Sequence, residues 1–312
     1  MESMMVIFPG QGSQGLNMGR DLAEKDSDAM DLWKKAEQIS SLPLREIYWD
    51  GDEASMSDTR ALQIALTCVN CNLWRYVAGK VEPFGSAGHS LGEFSALVCA
   101  GVLDMTSALE LTSLRGRLMA EADPHGAGSM AAIVKLSREA VANIVEEAKK
   151  ESEELVIMAN FNSPAQIVVS GTKKAVELVC QKAKAIKGRG VPLKVSAAFH
   201  SAMMQEANQE FIRVFDKYDW HSAKFPVYGN VDALGERDGA RIRQKMEVQM
   251  TSPVLWMDSV VRQYSDGARA WLELGPKSLL LKMVDACLPK GASVSLEEVH
   301  DAETLEAFLG KV

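Results

Sequence analysis

Residues 84–94 read Phe84-Gly85-Ser86-Ala87-Gly88-His89-Ser90-Leu91-Gly92-Glu93-Phe94 and contain the pattern G-x-S-x-G. This pattern is typical of a sharp turn between a strand and a helix, with a strained serine exposed at the tip. Side chains two residues before and after the serine would collide, and glycine removes that collision. Backbone N–H groups at the start of the helix can face a developing oxyanion. The pattern predicts a serine nucleophile, and an ordinary glycine-containing turn is the alternative.

The composition is that of a globular protein, with 47% apolar and 24% charged residues in a chain of 312. This length is sufficient for one large domain or for two. The formal net charge of −8 argues against a nucleic-acid-binding protein. No run approaches the roughly 18 apolar residues of a membrane-spanning helix, and the first residues lack the features of a signal peptide. We therefore expect a cytoplasmic protein that binds neither nucleic acid nor membranes.

Two of the five cysteines, Cys68 and Cys71, lie close together in an apolar run with helical periodicity. No second pair of Cys or His follows at the spacing of a zinc site. We therefore predict that both thiols are buried in packing and that no metal is bound.

Periodicity predicts several further elements around the central turn. Two arginines in one predicted helix, Arg115 and Arg117, are two positions apart and so cannot share a helix face; one of them can point inward while the other points to solvent. The predicted strands are 6–8, 81–87, 225–231, 268–273 and 292–296, and the predicted helices include 19–40, 59–78, 107–122 and 238–250.

Residues 125–195 have a pattern of their own, in the order β-α-β-β-α-β that is typical of ferredoxin-like domains. Ser137 and Thr172 are suited to cap the two helices of this segment. Its last predicted strand covers residues 191–196. The fold class is therefore predicted to be α/β, with an α/β-hydrolase-like large domain (residues 1–124 and 196–312) and an inserted ferredoxin-like small domain (residues 125–195).

The predicted insert differs in charge from the rest of the chain. It has eleven basic and seven acidic residues, a balance of +4, which leaves −12 for the remainder. Solvated helix faces account for most of these lysines. A basic face beside a cleft could also attract an acidic partner or a phosphorylated cofactor.

A serine nucleophile needs a base, which is usually histidine. His89 is next to Ser90, and neighbouring side chains diverge in such a turn. His200 follows a predicted strand and an apolar segment, so it is the favoured base, although a structural histidine remains the alternative. The chain contains His89, His125, His200, His221 and His300.

Six motifs along nearly the whole chain resemble, in order, those of the malonyl-CoA:acyl carrier protein transacylases, including freestanding acyltransferases of polyketide synthesis. The motifs are Phe8-Pro9-Gly10-Gln11-Gly12-Ser13-Gln14, Gly88-His89-Ser90-Leu91-Gly92-Glu93-Phe94, Leu114-Arg115-Gly116-Arg117, Asn160-Phe161-Asn162-Ser163-Pro164, Ala198-Phe199-His200-Ser201 and Glu273-Leu274-Gly275-Pro276.

The resemblance implies a role for individual residues of this chain. Ser90 would accept the acyl group, His200 would be its base, and Arg115 would bind the free carboxylate of the malonyl unit. The resemblance also implies that the main-chain carbonyl of Gln249 orients the histidine, so that no acidic third member is needed. The remaining implied positions are Gln11 and Leu91 in the oxyanion hole, Asn160 and Asn162 near the active site, and Phe199 as a residue that crowds an α-methyl branch.

The implied reaction is a ping-pong transfer of malonyl from malonyl-CoA to the phosphopantetheine thiol of an acidic acyl carrier protein. Coenzyme A thioesters would be substrates, no cofactor would be bound, and the protein would be a monomer. Whether the carrier serves fatty-acid or polyketide synthesis is open. Two alternatives are a serine hydrolase with the same turn and base, and a catalytically silent protein that docks a carrier on its basic insert.

Overall fold

A computed structural model describes residues 3–311 of the chain, so residues 1, 2 and 312 of the predicted large domain lie outside the described part. The strands are β1 (Ser3–Phe8), β2 (Glu82–Gly88), β3 (Gly128–Val134), β4 (Val156–Ser163), β5 (Gln166–Thr172), β6 (Arg189–Pro192), β7 (Val227–Tyr228), β8 (Gly235–Glu236), β9 (Ala270–Leu274) and β10 (Ser295–Val299). The α-helices are α1 (Arg20–Lys25), α2 (Ser27–Ser40), α3 (Thr59–Val77), α4 (Gly92–Ala100), α5 (Met105–Glu121), α6 (Arg138–Ser152), α7 (Lys173–Ala185), α8 (Gln205–Ile212), α9 (Gly239–Gln249), α10 (Trp256–Ser265), α11 (Leu280–Cys287) and α12 (Ala302–Leu309).

The larger sheet has the strand order β10-β9-β1-β2-β7-β8, and only the last pair is antiparallel. Parallel strands are usually covered on both faces, and successive side chains of β1 show this. Val6 and Phe8 pack in the cluster that contains α3, whereas Met5 and Ile7 pack against α10 and α11. Strand β2, which leads into the G-x-S-x-G turn, therefore lies near the middle of a buried sheet.

The smaller sheet is antiparallel, with the order β4-β5-β3-β6. One face of β3 packs Ala131 and Ile133 against α6 and α7, whereas Met130 and Ala132 join the hydrophobic cluster of the larger sheet. This arrangement confirms the predicted α/β class with a ferredoxin-like small unit. Side chains at both predicted cap positions do accept hydrogen bonds from the first helical turns. The limits of the small domain, residues 125–195, stay a prediction.

Four predicted elements were wrong in their extent. The strand predicted over residues 292–296 is β10, which begins at Ser295 and ends at Val299. The helix predicted over residues 19–40 is divided at Asp26, whose extended backbone ends α1 and whose carboxylate caps α2 and accepts from Arg75 and Tyr76. The strand predicted over residues 225–231 is limited to β7. The strand predicted over residues 191–196 is β6, which ends at Pro192 and is followed by one further backbone bond to β3, from the Leu193 N–H to the oxygen of Met130. His200 therefore follows a loop and not a strand.

Helix α3 packs between the other helices, and fifteen of its nineteen residues are buried. Cys68 and Cys71 lie on it as free, buried thiols, as predicted. Among residues 3–311 no cluster of His, Cys, Asp and Glu could hold a metal ion. None of the helices in the described part is both long enough and apolar enough to cross a membrane.

Candidate active site

Ser90 lies at the tip of the turn between β2 and α4, with a φ of +51°. A Cβ atom at Gly88 would lie 2.0 Å from the carbonyl carbon of Gly92, and one at Gly92 would lie 2.1 Å from the oxygen of Phe8. Neither position can hold a larger residue without moving the backbone. The two glycines therefore allow the strained conformation that exposes the Ser90 hydroxyl, as the sequence pattern predicts.

His200 is the histidine that the structure brings to this hydroxyl, with its Nε2 2.7 Å from Ser90 Oγ. Its Nδ1 lies 3.2 Å from the carbonyl oxygen of Gln249 and 3.0 Å from that of Ser252. A carbonyl can only accept, so Nδ1 carries the proton and Nε2 is free to accept from the serine. Burial and the nearby charge of Arg115 lower the pKa of His200 to about 3. The imidazole is therefore neutral and ready to act as a base.

Arg115, on α5, is the buried member of the arginine pair and is only 1% exposed, whereas Arg117 has a half-exposed side chain. The Nη2 atom of Arg115 lies 3.4 Å from Ser90 Oγ. Two glutamine oxygens hold the guanidinium, Gln63 Oε1 at 2.7 Å from Nη1 and Gln249 Oε1 at 3.1 Å from Nη2. Burial lowers the pKa of Arg115 to about 10, so the group is still cationic at pH 7.

Gln11 and Leu91 line the same cleft as Ser90, His200 and Arg115. Within residues 3–311 the backbone N–H groups of Gln11 and Leu91 make no hydrogen bond. The loop after β1 and the serine turn pass close to each other at Gly10. A Cβ atom at this position would lie 2.5 Å from the carbonyl oxygen of His89, so glycine allows the close approach. Two donors are thus available beside the nucleophile, at the positions that the resemblance implies for an oxyanion hole.

Asn160 and Asn162 lie on β4 and also line the cleft. Asn160 forms a parallel bridge with Val254, which ties the small sheet to the segment before α10. His89 Nε2 lies 2.8 Å from Asn162 Oδ1. Because an amide oxygen only accepts, His89 donates this bond and the Asn162 amide N–H groups are left for the cleft.

The cleft opens between the two sheets, and most of its wall is apolar. Phe199 is 4% exposed and lies beside the reacting groups. Within residues 3–311, every predicted site residue except Gln249 lines this cleft, and Gln249 lies behind the wall, in contact with His200 and Arg115. The apolar lining of the cleft includes Met119, Met130, Val168, Leu193, Phe199 and Met283.

Sequence reasoning missed four polar residues of the site. Gln63 holds Arg115, Ser252 shares His200 with Gln249, and Glu93 and Asn230 support the serine turn. Gln63 and Glu93 each lie between apolar residues in a helical segment. A polar side chain in such a position indicates a buried polar contact, so the sequence did contain a signal for these two residues. Asn230 and Ser252 lie in loops, where nothing local distinguishes them.

The chain matches the family described as "Acyl transferase domain" over residues 5–306. It is 35% identical to the malonyl CoA-acyl carrier protein transacylase of Haemophilus influenzae, covering 99% of this chain and 100% of that one. Identity to the protein of the same name from Bacillus subtilis is 36%, over 98% of this chain and 96% of the relative.

Solved structures give the same result. The structure described as a type II PKS acyl-carrier protein in complex with its malonyl-transacylase has a TM-score of 0.93 and 34% identity, with 100% of both chains covered. The acyl carrier protein S-malonyltransferase of Vibrio cholerae has a TM-score of 0.91 and 34% identity, over 98% of this chain and 100% of that one. The chain therefore belongs to the malonyl CoA-acyl carrier protein transacylase family.

Proposed function

We propose that this protein transfers a malonyl group from malonyl-CoA to the phosphopantetheine thiol of an acyl carrier protein, through a malonyl ester on Ser90. One observation carries the proposal: a buried, cationic Arg115 lies 3.4 Å from the hydroxyl of a serine that is paired with a neutral histidine. An acyl group on that serine would place a terminal carboxylate within reach of the guanidinium. The names of the relatives agree with this chemistry.

In the first half-reaction His200 Nε2 takes the hydroxyl proton as Ser90 Oγ attacks the thioester carbonyl of malonyl-CoA. The tetrahedral oxyanion is stabilised by the N–H groups of Gln11 and Leu91. Collapse breaks the carbon–sulfur bond, and the imidazolium returns its proton to the departing thiolate of coenzyme A. The carbonyls of Gln249 and Ser252 hold Nδ1–H throughout and supply the orientation that an aspartate supplies in the Ser-His-Asp triad.

The second half-reaction reverses the roles of the same groups. The thiol of the carrier gives its proton to His200 and attacks the ester carbonyl, and Ser90 leaves with that proton. Water could attack in the place of the thiol, and the apolar walls of the cleft disfavour its entry. Malonyl-CoA is a substrate in this scheme, and the scheme needs no bound cofactor.

Arg115 selects acid-terminated acyl groups in this scheme, since a guanidinium forms two parallel hydrogen bonds with a carboxylate. Phe199 would crowd an α-methyl branch. Asn162 offers amide N–H groups to the cleft and could bind the amide carbonyls of the pantetheine arm, with Asn160 as its neighbour on β4. These roles are proposals that variants at each position would test.

Intact-protein mass spectrometry tests the function. After mixing with malonyl-CoA, the protein should gain the mass of one malonyl group, and the Ser90→Ala variant should not. Addition of a phosphopantetheinylated carrier should move the group to the carrier with little free malonate. A serine hydrolase would instead release malonate without the carrier, and a silent docking protein would gain no mass. Either result would contradict the proposal.

A panel of purified carriers would decide between fatty-acid and polyketide synthesis. The complex noted above holds a type II PKS carrier, whereas the named relatives do not distinguish the two. A monomeric state and a cytoplasmic location complete the proposal, and both are open to direct measurement.

A further inference from the structure

Glu93 is a buried carboxyl in the first turn of α4, three residues after the nucleophile and 2% exposed. An acidic residue at this position can simply favour the helix dipole. Its carboxylate, however, accepts no hydrogen bond from the N–H groups of its own helix within the described residues. It accepts instead from two distant groups, the N–H of Asn230 at 3.1 Å and Nε2 of Gln249 at 2.9 Å. Burial raises the pKa of Glu93 to about 7.

Both partners of Glu93 also hold the backbone of Ser90. The second N–H of Gln249 Nε2 donates to the Ser90 carbonyl oxygen at 2.8 Å. Asn230 Oδ1 accepts from the Ser90 N–H at 2.7 Å, and its Nδ2 donates to the Gly88 oxygen at 2.7 Å. The positive φ of Ser90 marks a strained backbone. Hydrogen bonds with the side chains of Gln249 and Asn230 hold this backbone in place, and both residues also contact Glu93.

The carboxylate also determines which way the amide of Gln249 points. Two acceptors, Glu93 Oε2 and the Ser90 oxygen, lie at the nitrogen end of the amide. The donor Nη2 of Arg115 lies at the oxygen end. A reversed amide would face acceptors with its oxygen and the guanidinium with its N–H groups, so every contact would be lost. Glu93 thereby keeps the Gln249 oxygen directed at Arg115.

We propose that Glu93 is a positioning residue: through Gln249 it holds the guanidinium of Arg115 at the acyl group on Ser90, and so it contributes to the preference for malonyl. The inference rests on the proposed function, because it assigns a selectivity to that same site. Glu93 itself touches neither the substrate nor the reacting atoms.

The variant Glu93→Gln keeps the size of the side chain and removes one acceptor. One carboxylate oxygen is replaced by an NH₂ group. This new donor must face either the N–H of Asn230 or the side-chain amide of Gln249, which are both donors to Glu93 in the wild type. In the second case Gln249 turns its oxygen away from Arg115. We expect Ser90 acylation by malonyl-CoA to slow more than acylation by acetyl-CoA, with the malonyl-to-acetyl ratio falling about tenfold.

Single-turnover acylation of Ser90, followed by intact-protein mass spectrometry with each acyl donor, measures this ratio. Glu273→Gln is the matched control, since Glu273 is also a buried glutamate but accepts from the first N–H groups of α11 and not from Gln249. That control should lower the thermal unfolding temperature and leave the ratio unchanged. If Glu93→Gln does not fold, Glu93→Asp withdraws the carboxylate by one methylene and should lower the ratio in the same direction.

The route through Gln249 has its own test. In a Gln249→Ala background, Glu93→Gln should cause no further fall in the ratio, because the connection is already absent. An unchanged ratio in Glu93→Gln, or an equal fall with and without Gln249, overturns the inference. Absence of malonyl on wild-type Ser90 would instead contradict the proposed function, so the two failures can be told apart.

Discussion

Replacing Arg115 with alanine should abolish most malonyl transfer while the serine stays reactive. The guanidinium is 1% exposed, and one N–H of each terminal nitrogen is already bound by a glutamine oxygen. Three donors are left for a carboxylate: the N–H that points at Ser90 Oγ from 3.4 Å, the second N–H of Nη1, and the Nε–H, which has no partner within residues 3–311. A malonyl group on Ser90 would therefore form a paired, largely desolvated contact.

Removing one partner of a buried ion pair costs about 3–5 kcal/mol, which corresponds to roughly 150- to 5,000-fold in rate. Acetyl-CoA has no carboxylate, so Arg115→Ala should slow its reaction by about tenfold or less. Arg115→Lys keeps the charge but loses the two-pronged geometry, and we expect an intermediate result. The large difference between the two acyl donors is the signature of a carboxylate contact.

The assay is single-turnover acylation of Ser90 by malonyl-CoA and acetyl-CoA, read by mass spectrometry. Arg117→Ala is the control, because that side chain lies on the same helix but is half-exposed and paired with Glu121. The control should leave both rates unchanged. Equal losses with malonyl and acetyl donors in Arg115→Ala would refute the carboxylate role and point to a general effect on the site.

Three further outcomes follow from the same geometry. The pKa of His200 is held near 3 against an ordinary 6.5, so its stabilising contribution is complete above pH 6.5 and is lost as the pH falls toward 3. The difference in unfolding temperature between wild type and His200→Asn should therefore shrink between about pH 7 and pH 4, and a constant difference would contradict the neutral, buried imidazole. Phe199→Ala should raise the methylmalonyl-to-malonyl acylation ratio about 10- to 100-fold, whereas an unchanged ratio would exclude Phe199 as the group that crowds the branch. Raising salt from about 0.05 to 0.5 M should slow transfer to the carrier more than malonyl loading if the insert attracts the carrier, and parallel losses would argue against steering.

The charge of the insert is less available to a partner than the sequence suggests. Among its eleven basic residues, four pair with carboxylates in the structure. Two of these pairs, Arg138–Asp258 and Lys194–Glu53, join the insert to the rest of the chain. Exposed pairs of this kind contribute little to stability, but they reduce the positive field that the charge count predicts. The salt experiment is therefore a test of the remaining basic residues of the insert.

The turn that carries Ser90 could be predicted from sequence because its requirements are local. The collisions at Gly88 and Gly92 arise within five residues and against the adjacent strand, so the pattern specifies the geometry. The β-α-β-β-α-β order was also predictable, since apolar periodicity and helix caps are read over short windows. Arg115 and Arg117 were separated correctly in the same way, from the angle between positions on one helix.

The polar network behind the turn could not be predicted in this manner. Asn230 is 140 residues from Ser90 in sequence, and Gln249 is 159 residues away, yet both bind its backbone. Such contacts depend on how β7 and α9 pack beside the turn, and no local pattern records that packing. The resemblance indicated the main chain of Gln249 but not its side chain. The error in β6 had a similar origin, because the end of an edge strand depends on its neighbour.

The absence of an aspartate behind His200 has a physical reason in this site. A carboxylate there would add a buried anion near the malonyl carboxylate, and two unit charges about 7 Å apart repel by about 2 kcal/mol at an effective dielectric constant of 20. The carbonyls of Gln249 and Ser252 orient Nδ1–H with dipoles and add no net charge. Glu93, the carboxyl of the network, lies behind Gln249 and not against His200. Glu93 does act on the charge of Arg115 from nearby, but the orientation of His200 adds no further anion to compete with the malonyl carboxylate.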